Sequence, residues 1–239
     1  MTELDGQVAV VTGAGRGIGK AIALRLAEMG PTVLLVGRDV SRLEQVREQI
    51  DRQGGSAEAT ACDLRDVQAI EALGRKVQQQ HGRCDILINN AGVGIIGKPV
   101  HELAPEDWEA MVSTNLRSPY LMIRAFAPMM IAAARGHIVN ISSLAGSNPL
   151  PNGAAYAATK WGLNGLTYSV AEELRDYNVR VSAVAPGGVN TDFGGCASAG
   201  ADGDRKIQPA DIAHIVAMLV TQAPQSFISE VKIRPTRKS

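Results

Sequence analysis

Tyr156 and Lys160, in the run Tyr156-Ala157-Ala158-Thr159-Lys160, stand four residues apart. On a helix that spacing puts both side chains on one face, a single turn from each other. A free phenol titrates near pH ~10 and is a poor acid–base catalyst at neutrality. A fixed cation beside it favours phenolate and draws its pKa toward working pH. Ser143, in Ile141-Ser142-Ser143, comes thirteen residues before Tyr156, and its hydroxyl can hold a substrate oxygen next to the phenol. Such a trio can pass a proton to or from an alcohol or carbonyl oxygen, which is half of an oxidoreduction. The other half needs a hydride carrier. Taken alone, Tyr-x-x-x-Lys is equally well met by an exposed pair on a solvated face, so its weight depends on the rest of the chain.

The N-terminus supplies a place for the carrier. Val8-Ala9-Val10-Val11 is a short apolar, β-branched run that reads as a buried parallel strand. It leads into Thr12-Gly13-Ala14-Gly15-Arg16-Gly17-Ile18-Gly19, and then into Lys20-Ala21-Ile22-Ala23-Leu24-Arg25-Leu26-Ala27, which has helical spacing. Strand, glycine turn and helix together make a phosphate-binding device: glycines let the backbone approach closely, and the first N–H groups of the helix favour an anion. A P-loop is excluded, because it needs Gly at Ala14 and Ser or Thr at Ala21. The pattern G-x-G-x-x-G also fails, since Ile18, Lys20 and Ile22 occupy the third glycine position from each starting point. What remains is T-G-x-x-x-G-x-G.

The elements that must position these groups alternate along the chain. Strand-like runs fall at 8–11, 32–36, 57–61, 85–88, 137–141, 179–185 and 228–233, with helical patterns at about 17–29, 40–53, 67–80, 106–134, 154–177 and 209–222. This predicts an α/β fold: a Rossmann-type, doubly wound, parallel seven-stranded sheet with helices on both faces. In such sheets ligands bind beyond the carboxyl ends of the strands. Gly13, Arg38, Asp63, Asn90, Ser143 and Pro186 all fall at or just after a strand end. The 239 residues show no linker or low-complexity tract, which suggests one domain over 1–239.

Charge gives no macromolecular partner, since Lys plus Arg equals Asp plus Glu at 24 each, so nucleic acid and membrane are not expected. No apolar run approaches the ~18 residues of a membrane span, and no signal peptide is expected ahead of the first strand. Cys62, Cys84 and Cys196 are odd in number and scattered, which suits reduced thiols in a cytoplasmic protein. His81, His101, His137 and His214 form no pair at metal-ligand spacing, although His214 follows Asp211 by three residues; no metal is expected.

With these residues in view, the chain resembles the classical branch of the short-chain dehydrogenase/reductase family over nearly its whole length, including its 3-oxoacyl-[acyl-carrier-protein] reductases and related carbonyl reductases. Thr12-Gly13 through Gly19 is similar to the family's cofactor glycines, so Gly13, Gly15, Arg16, Gly17, Ile18 and Gly19 are expected at the cofactor. Cys62-Asp63-Leu64 is similar to the strand end whose Asp meets the adenine amino group. Asn89-Asn90-Ala91-Gly92 is similar to the N-N-A-G strand end. Asn115, in Thr114-Asn115-Leu116, is similar to the helix asparagine of the family's tetrad, whose other members fall on Ser143, Tyr156 and Lys160. Pro186-Gly187-Gly188-Val189-Asn190-Thr191 is similar to the segment around the nicotinamide, so Pro186, Gly187, Val189 and Thr191 join the expected cofactor residues.

The resemblance implies the reaction. Hydride from a nicotinamide goes to a carbonyl carbon while Tyr156 gives a proton to the oxygen. Ser143 holds that oxygen, Lys160 lowers the Tyr156 pKa and bonds the nicotinamide ribose, and Asn115 fixes a water linking Lys160 to solvent. Asn115 has a second reading, as a helix residue serving a backbone kinked near Pro119. The cofactor type follows from charge. NAD enzymes place Asp or Glu after the second strand; the family's usual position for it is Gly37 here, followed by Arg38. Arg38, with Arg16 and with Arg42 one helical turn on, implies NADP(H), although Asp39 occupies part of the same field and arginines facing solvent would look alike. The expected activity is reversible NADP(H)-dependent reduction of a ketone or aldehyde. Two alternatives stand beside it: reduction of 3-oxoacyl groups on acyl-carrier protein, disfavoured by the weakly basic Ala132-Ala133-Ala134-Arg135, and a non-catalytic NADP sensor, disfavoured by the complete tetrad.

Related enzymes pair through the helices here at about 106–134 and 154–177 and tetramerise through the last strand and helix. A homodimer or homotetramer is therefore implied. After Thr191-Asp192-Phe193 the chain departs from the family, with a short glycine-rich run, Gly194 to Asp204, in a substrate loop at about 192–208 where a helical lid is usual. Such a run buries little apolar area, so a mobile loop and an open site for bulky or varied carbonyl compounds are expected.

Overall fold

The apolar runs form one seven-stranded sheet, all parallel, in the order β3-β2-β1-β4-β5-β6-β7. The computed structural model describes residues 3–195 and 205–236. The strands are β1 (Val8–Thr12), β2 (Thr32–Gly37), β3 (Ser56–Ala61), β4 (Ile86–Asn89), β5 (Gly136–Ile141), β6 (Val179–Pro186) and β7 (Glu230–Ile233). Between them run α1 (Gly17–Ala27), α2 (Val40–Arg52), α3 (Val67–His81), α4 (Pro105–Val112), α5 (Ser118–Ala132), α6 (Ala154–Arg175) and α7 (Pro209–Val220).

Both faces of the sheet are covered, and the two-residue period of the strands decides which side chain goes where. Ala9, Val11, Val33 and Leu35 pack with α1, α2 and α7 in one core. Val8, Val10, Leu34 and Val36 pack with α3, α5 and α6 in the other. Order reverses between β1 and β4, so the crevice beyond their carboxyl ends lies at the sheet's switch point.

Two boundaries differ from expectation for local reasons, and a third agrees. The helical pattern at 106–134 contains a π-helical segment, Ser113–Arg117, with Pro119 in the first turn of α5, where a missing N–H costs nothing. The last strand starts at Glu230, because Ile228 N donates to Gln222 Oε1 and not to a neighbouring strand. Helix α7 begins where the sequence places it, closed by a capping box between Gln208 and Asp211 with Pro209 in the first turn.

Candidate active site

The glycine turn is built by close approach. Gly13 and Gly17 have positive φ (66° and 54°), which L side chains rarely adopt. A Cβ on Gly19 would lie 2.3 Å from the Gly13 carbonyl oxygen and 2.4 Å from Asn90 Nδ2, so only glycine fits there. Arg16 caps α1 with extended backbone and no side-chain hydrogen bond, and no acidic residue lies in the first turn. The amino end of α1 therefore presents its N–H groups to an anion. Thr191 borders this turn, 3.3 Å from where a Gly17 Cβ would sit. Glycine cradle, uncapped helix end and flanking threonine fit a dinucleotide's phosphates.

Thr12 joins the two sides of the switch point. Its hydroxyl donates to the Ile88 carbonyl (3.1 Å) and accepts from the backbone N–H of Asn90 (2.9 Å) and Ala91 (3.1 Å), while Asn90 Nδ2 donates back to the Thr12 carbonyl (2.9 Å). This locks Asn90, Ala91 and Gly92 beside the glycine turn. The role of Thr12 follows from its buried hydroxyl between two strand ends, which the one-dimensional motif does not reveal.

At the adenine end, Arg38 is exposed just after β2, and Gly37 offers no side chain. Asp39 is engaged elsewhere: Oδ1 accepts from Arg42 N (3.2 Å) as the cap of α2, and Oδ2 lies 3.1 Å from Arg42 Nε. Arg16 reaches toward Asp192 at 3.9 Å. Asp63 stands at the end of β3, held by Arg65 through Nε (3.0 Å) and Nη2 (2.6 Å). The Arg65 hydrogen bonds lower its carboxyl to about 2, so it is an ionised acceptor. Leu64 is buried in the second core, so it offers a ligand only backbone. Ile18 and Val189 pack against the first core, and Pro186 ends β6 with Gly187 N donating to the Ile233 carbonyl (2.8 Å).

Ser143, Tyr156, Lys160 and Asn115 converge beyond β4 and β5. Tyr156 and Lys160 both lie on the buried face of α6. Lys160 Nζ donates to the Ile141 carbonyl (2.8 Å) and lies 5.8 Å from the centroid of the Tyr156 ring. Burial pushes the Tyr156 phenol above its ordinary pKa, opposed by a hydrogen bond with Ser143. Burial instead brings Lys160 down to about 8.

Asn115 is fully buried in the π segment. Its Oδ1 accepts from Val93 N (2.8 Å), and its Nδ2 donates to the Val93 carbonyl (2.8 Å) and to Thr159 Oγ1 (3.1 Å). Its side-chain amide thus ties the loop after β4 to α6 and does not serve the backbone near Pro119. Ser142 and Ser143 separate cleanly. Ser142 Oγ donates to Asn164 Oδ1 (2.6 Å), and Asn164 Nδ2 donates to the Gly146 carbonyl (3.0 Å), bracing the turn that carries Ser143.

A third apolar cluster surrounds Tyr156: Met111, Ala145, Ala155 and Ala157, with Val93, Ile95, Leu103, Leu150 and Phe193 packed against it. The sequence reading did not single out Phe193 as a site residue. Its ring centroid lies 5.9 Å from that of Tyr156, at a tilt of 56°. The expected open loop falls largely on residues 196–204, which lie outside the described residues, as does Cys196. The described start of it, at Phe193, covers Tyr156. Cys62 and Cys84 are buried free thiols. Among the described residues, no three His, Cys, Asp or Glu side chains gather as a metal site, and no helix is long and apolar enough to cross a membrane.

Comparison with known proteins agrees with this geometry. A family model described as short chain dehydrogenase matches residues 7–200. An uncharacterized oxidoreductase of Staphylococcus saprophyticus is 36% identical over 236 residues, covering 98% of this chain and 100% of its own. Among solved structures, a metagenomic short-chain oxidoreductase in complex with NADP is 56% identical, with a TM-score of 0.88 over 99% of this chain and 100% of that one. An alcohol dehydrogenase from the archaeon Thermococcus sibiricus, complexed with 5-hydroxy-NADP, is 29% identical, with a TM-score of 0.91 over 98% of both chains.

Proposed function

The chain belongs to the short-chain dehydrogenase family, and from that premise we propose that it is an NADP(H)-dependent oxidoreductase that reversibly reduces a ketone or aldehyde to the alcohol. The observation that carries this reading is the meeting of Ser143, Tyr156 and Lys160 beside a glycine cradle at the switch point of the sheet. The glycine turn and Thr191 would hold the phosphates, Asp63 the adenine, and Arg38, Arg16 and Arg42 the 2′-phosphate. The NADP-bound relatives support that choice. When bound, the reduced nicotinamide supplies a hydride.

The chain's own residues handle the proton. Tyr156 donates it to the carbonyl oxygen, and Ser143 donates a hydrogen bond to the same oxygen. A buried phenol above its ordinary pKa is fully protonated at neutrality, as a proton donor in the reductive direction must be. Lys160 balances the phenolate that forms, and burial makes that attraction strong. Asn115 holds Val93 and Thr159, and through them the floor of the site.

The acyl-carrier alternative is weakened by Arg135, the base in the segment before β5. It is committed to the buried carboxylate of Asp85 (2.6 Å) and is not free for an acidic carrier. Assembly as a homodimer or homotetramer fits the outward aromatics Tyr120 on α5 and Trp161 and Tyr168 on α6. The test of the activity is NADPH consumption against a panel of ketones and aldehydes. Turnover of at least one carbonyl compound is expected, and binding of NADPH with no turnover across the panel would favour the sensor.

A further inference from the structure

Gly94 is a glycine for reasons of space. Its φ is not in the left-handed region, so its backbone would accept any residue, yet a Cβ there would lie 2.5 Å from Cε1 and 2.8 Å from Cζ of Phe193. The Phe193 ring is laid into the gap this leaves. It lies beside the backbone at Gly94, in the loop after β4, and its centroid is 5.9 Å from that of the Tyr156 ring. The walls are apolar: Val93, Ile95 and Leu150 belong to the same cluster. The loops that form them are tied together, since Gly97 N donates to the Asn152 carbonyl (2.7 Å). The Phe193 ring therefore occupies an apolar space beside the proposed proton donor, and Gly94 is what leaves that space open.

We infer that this space takes a flat aromatic substituent of an aryl ketone or aldehyde in place of the Phe193 ring, with Gly94 leaving the room for it and Phe193 restricting entry. The inference rests on the proposed carbonyl reduction for its chemistry, but the space can be read by binding alone. A ring that leans on Tyr156 brings its attached carbonyl toward the phenol hydroxyl, which is what proton transfer needs. The aromatic walls favour tilted or offset ring contacts of the kind Phe193 already makes. A substrate must displace Phe193, so removing that ring should help aryl compounds most. A methyl group on Gly94 should do the reverse, because it takes up the space itself.

The experiment compares acetophenone, 2-acetonaphthalene and butan-2-one in the wild type, Phe193→Ala and Gly94→Ala. Phe193→Ala should raise the kcat/KM ratio of acetophenone to butan-2-one by roughly tenfold, the usual scale for filling or emptying part of an apolar pocket. Gly94→Ala should lower that ratio by a similar factor. Saturation-transfer NMR of acetophenone on the NADP+-loaded protein gives a readout independent of turnover, with contact stronger in Phe193→Ala and weaker in Gly94→Ala. A ratio that is unchanged or reversed in Phe193→Ala, or an NMR contact that does not respond to either variant, overturns the inference. If the NMR pattern holds while no carbonyl compound is reduced, the aryl-binding space stands and the reaction assigned to it fails.

Discussion

Replacing Arg38 with alanine should lower kcat/KM with NADPH by roughly tenfold and leave kcat/KM with NADH almost unchanged. Arg38 is exposed at the end of β2, where Gly37 leaves no carboxylate to hold ribose hydroxyls. Asp39 does not compete, since it caps α2 and pairs with Arg42. A charge-assisted hydrogen bond contributes ~1.5–3 kcal/mol, and solvent exposure argues for the lower end of that range. At ~1.4 kcal/mol per factor of ten, that is about tenfold. Arg38→Asp should shift the ratio of the two cofactors further, because a carboxylate repels the 2′-phosphate and accepts from the 2′-hydroxyl. Initial rates with each reduced cofactor, followed by absorbance, measure the effect. Salt provides a second signature: KM for NADPH should rise with ionic strength more in the wild type than in Arg38→Ala, because exposed charges are screened over ~10 Å. Equal use of both cofactors by the wild type, or a parallel loss with both in Arg38→Ala, would refute the assignment.

Tyr156→Phe should reduce kcat by ~10²–10⁴-fold with NADPH affinity near wild type by fluorescence titration; substantial residual turnover would remove Tyr156 as the acid. Ser143→Ala should act on kcat, whereas Ser142→Ala should act on stability, because it leaves buried Asn164 Oδ1 without its donor at ~1–3 kcal/mol. Denaturant unfolding and kinetics on both variants check the order, and a reversal would mean the wrong serine was chosen. His137 is buried in β5, and burial, aided by nearby Arg180, lowers its pKa to about 3. The unfolded chain then takes up a proton near pH ~6.5 that the folded chain refuses, so stability is full above that value and falls with acidification by ~1.4 kcal/mol per pH unit. His137→Gln should flatten the unfolding midpoint between pH 7 and 5; a curve as steep as wild type would show that another group sets the acid limit.

The order of strands and helices was legible because it depends on local rules. Two-residue and 3.6-residue periods, glycines that only a tight turn requires, and Pro209 at a helix start are all properties of short segments. The same holds for placing Gly13, Asn90, Ser143 and Pro186 on one edge of the sheet, since alternation of strand and helix forces that edge once the fold is parallel. The long helical pattern at 106–134 runs without a break in the backbone, and only the π segment inside it was hidden, because it keeps the apolar periodicity almost intact while shifting its phase.

Distances between side chains from different elements were beyond the sequence. The spacing of Tyr156 and Lys160 puts them on one face of α6, but the Ile141 carbonyl on β5 decides where the ammonium goes. Burial raises the pKa of the phenol, and the hydrogen bond with Ser143 opposes that rise. Asp39 and Arg42 likewise read as rivals for a cofactor until the helix cap joins them. Phe193 and Gly94 are ninety-nine positions apart, and neither has a reason to be noticed until the fold lays one against the other beside Tyr156. The sequence by itself determined which chemical groups reach the carboxyl edge of the sheet, because that depends on period and order. Tertiary packing alone decided which of them touch and what charge they carry, because contact and desolvation depend on every element that closes around them.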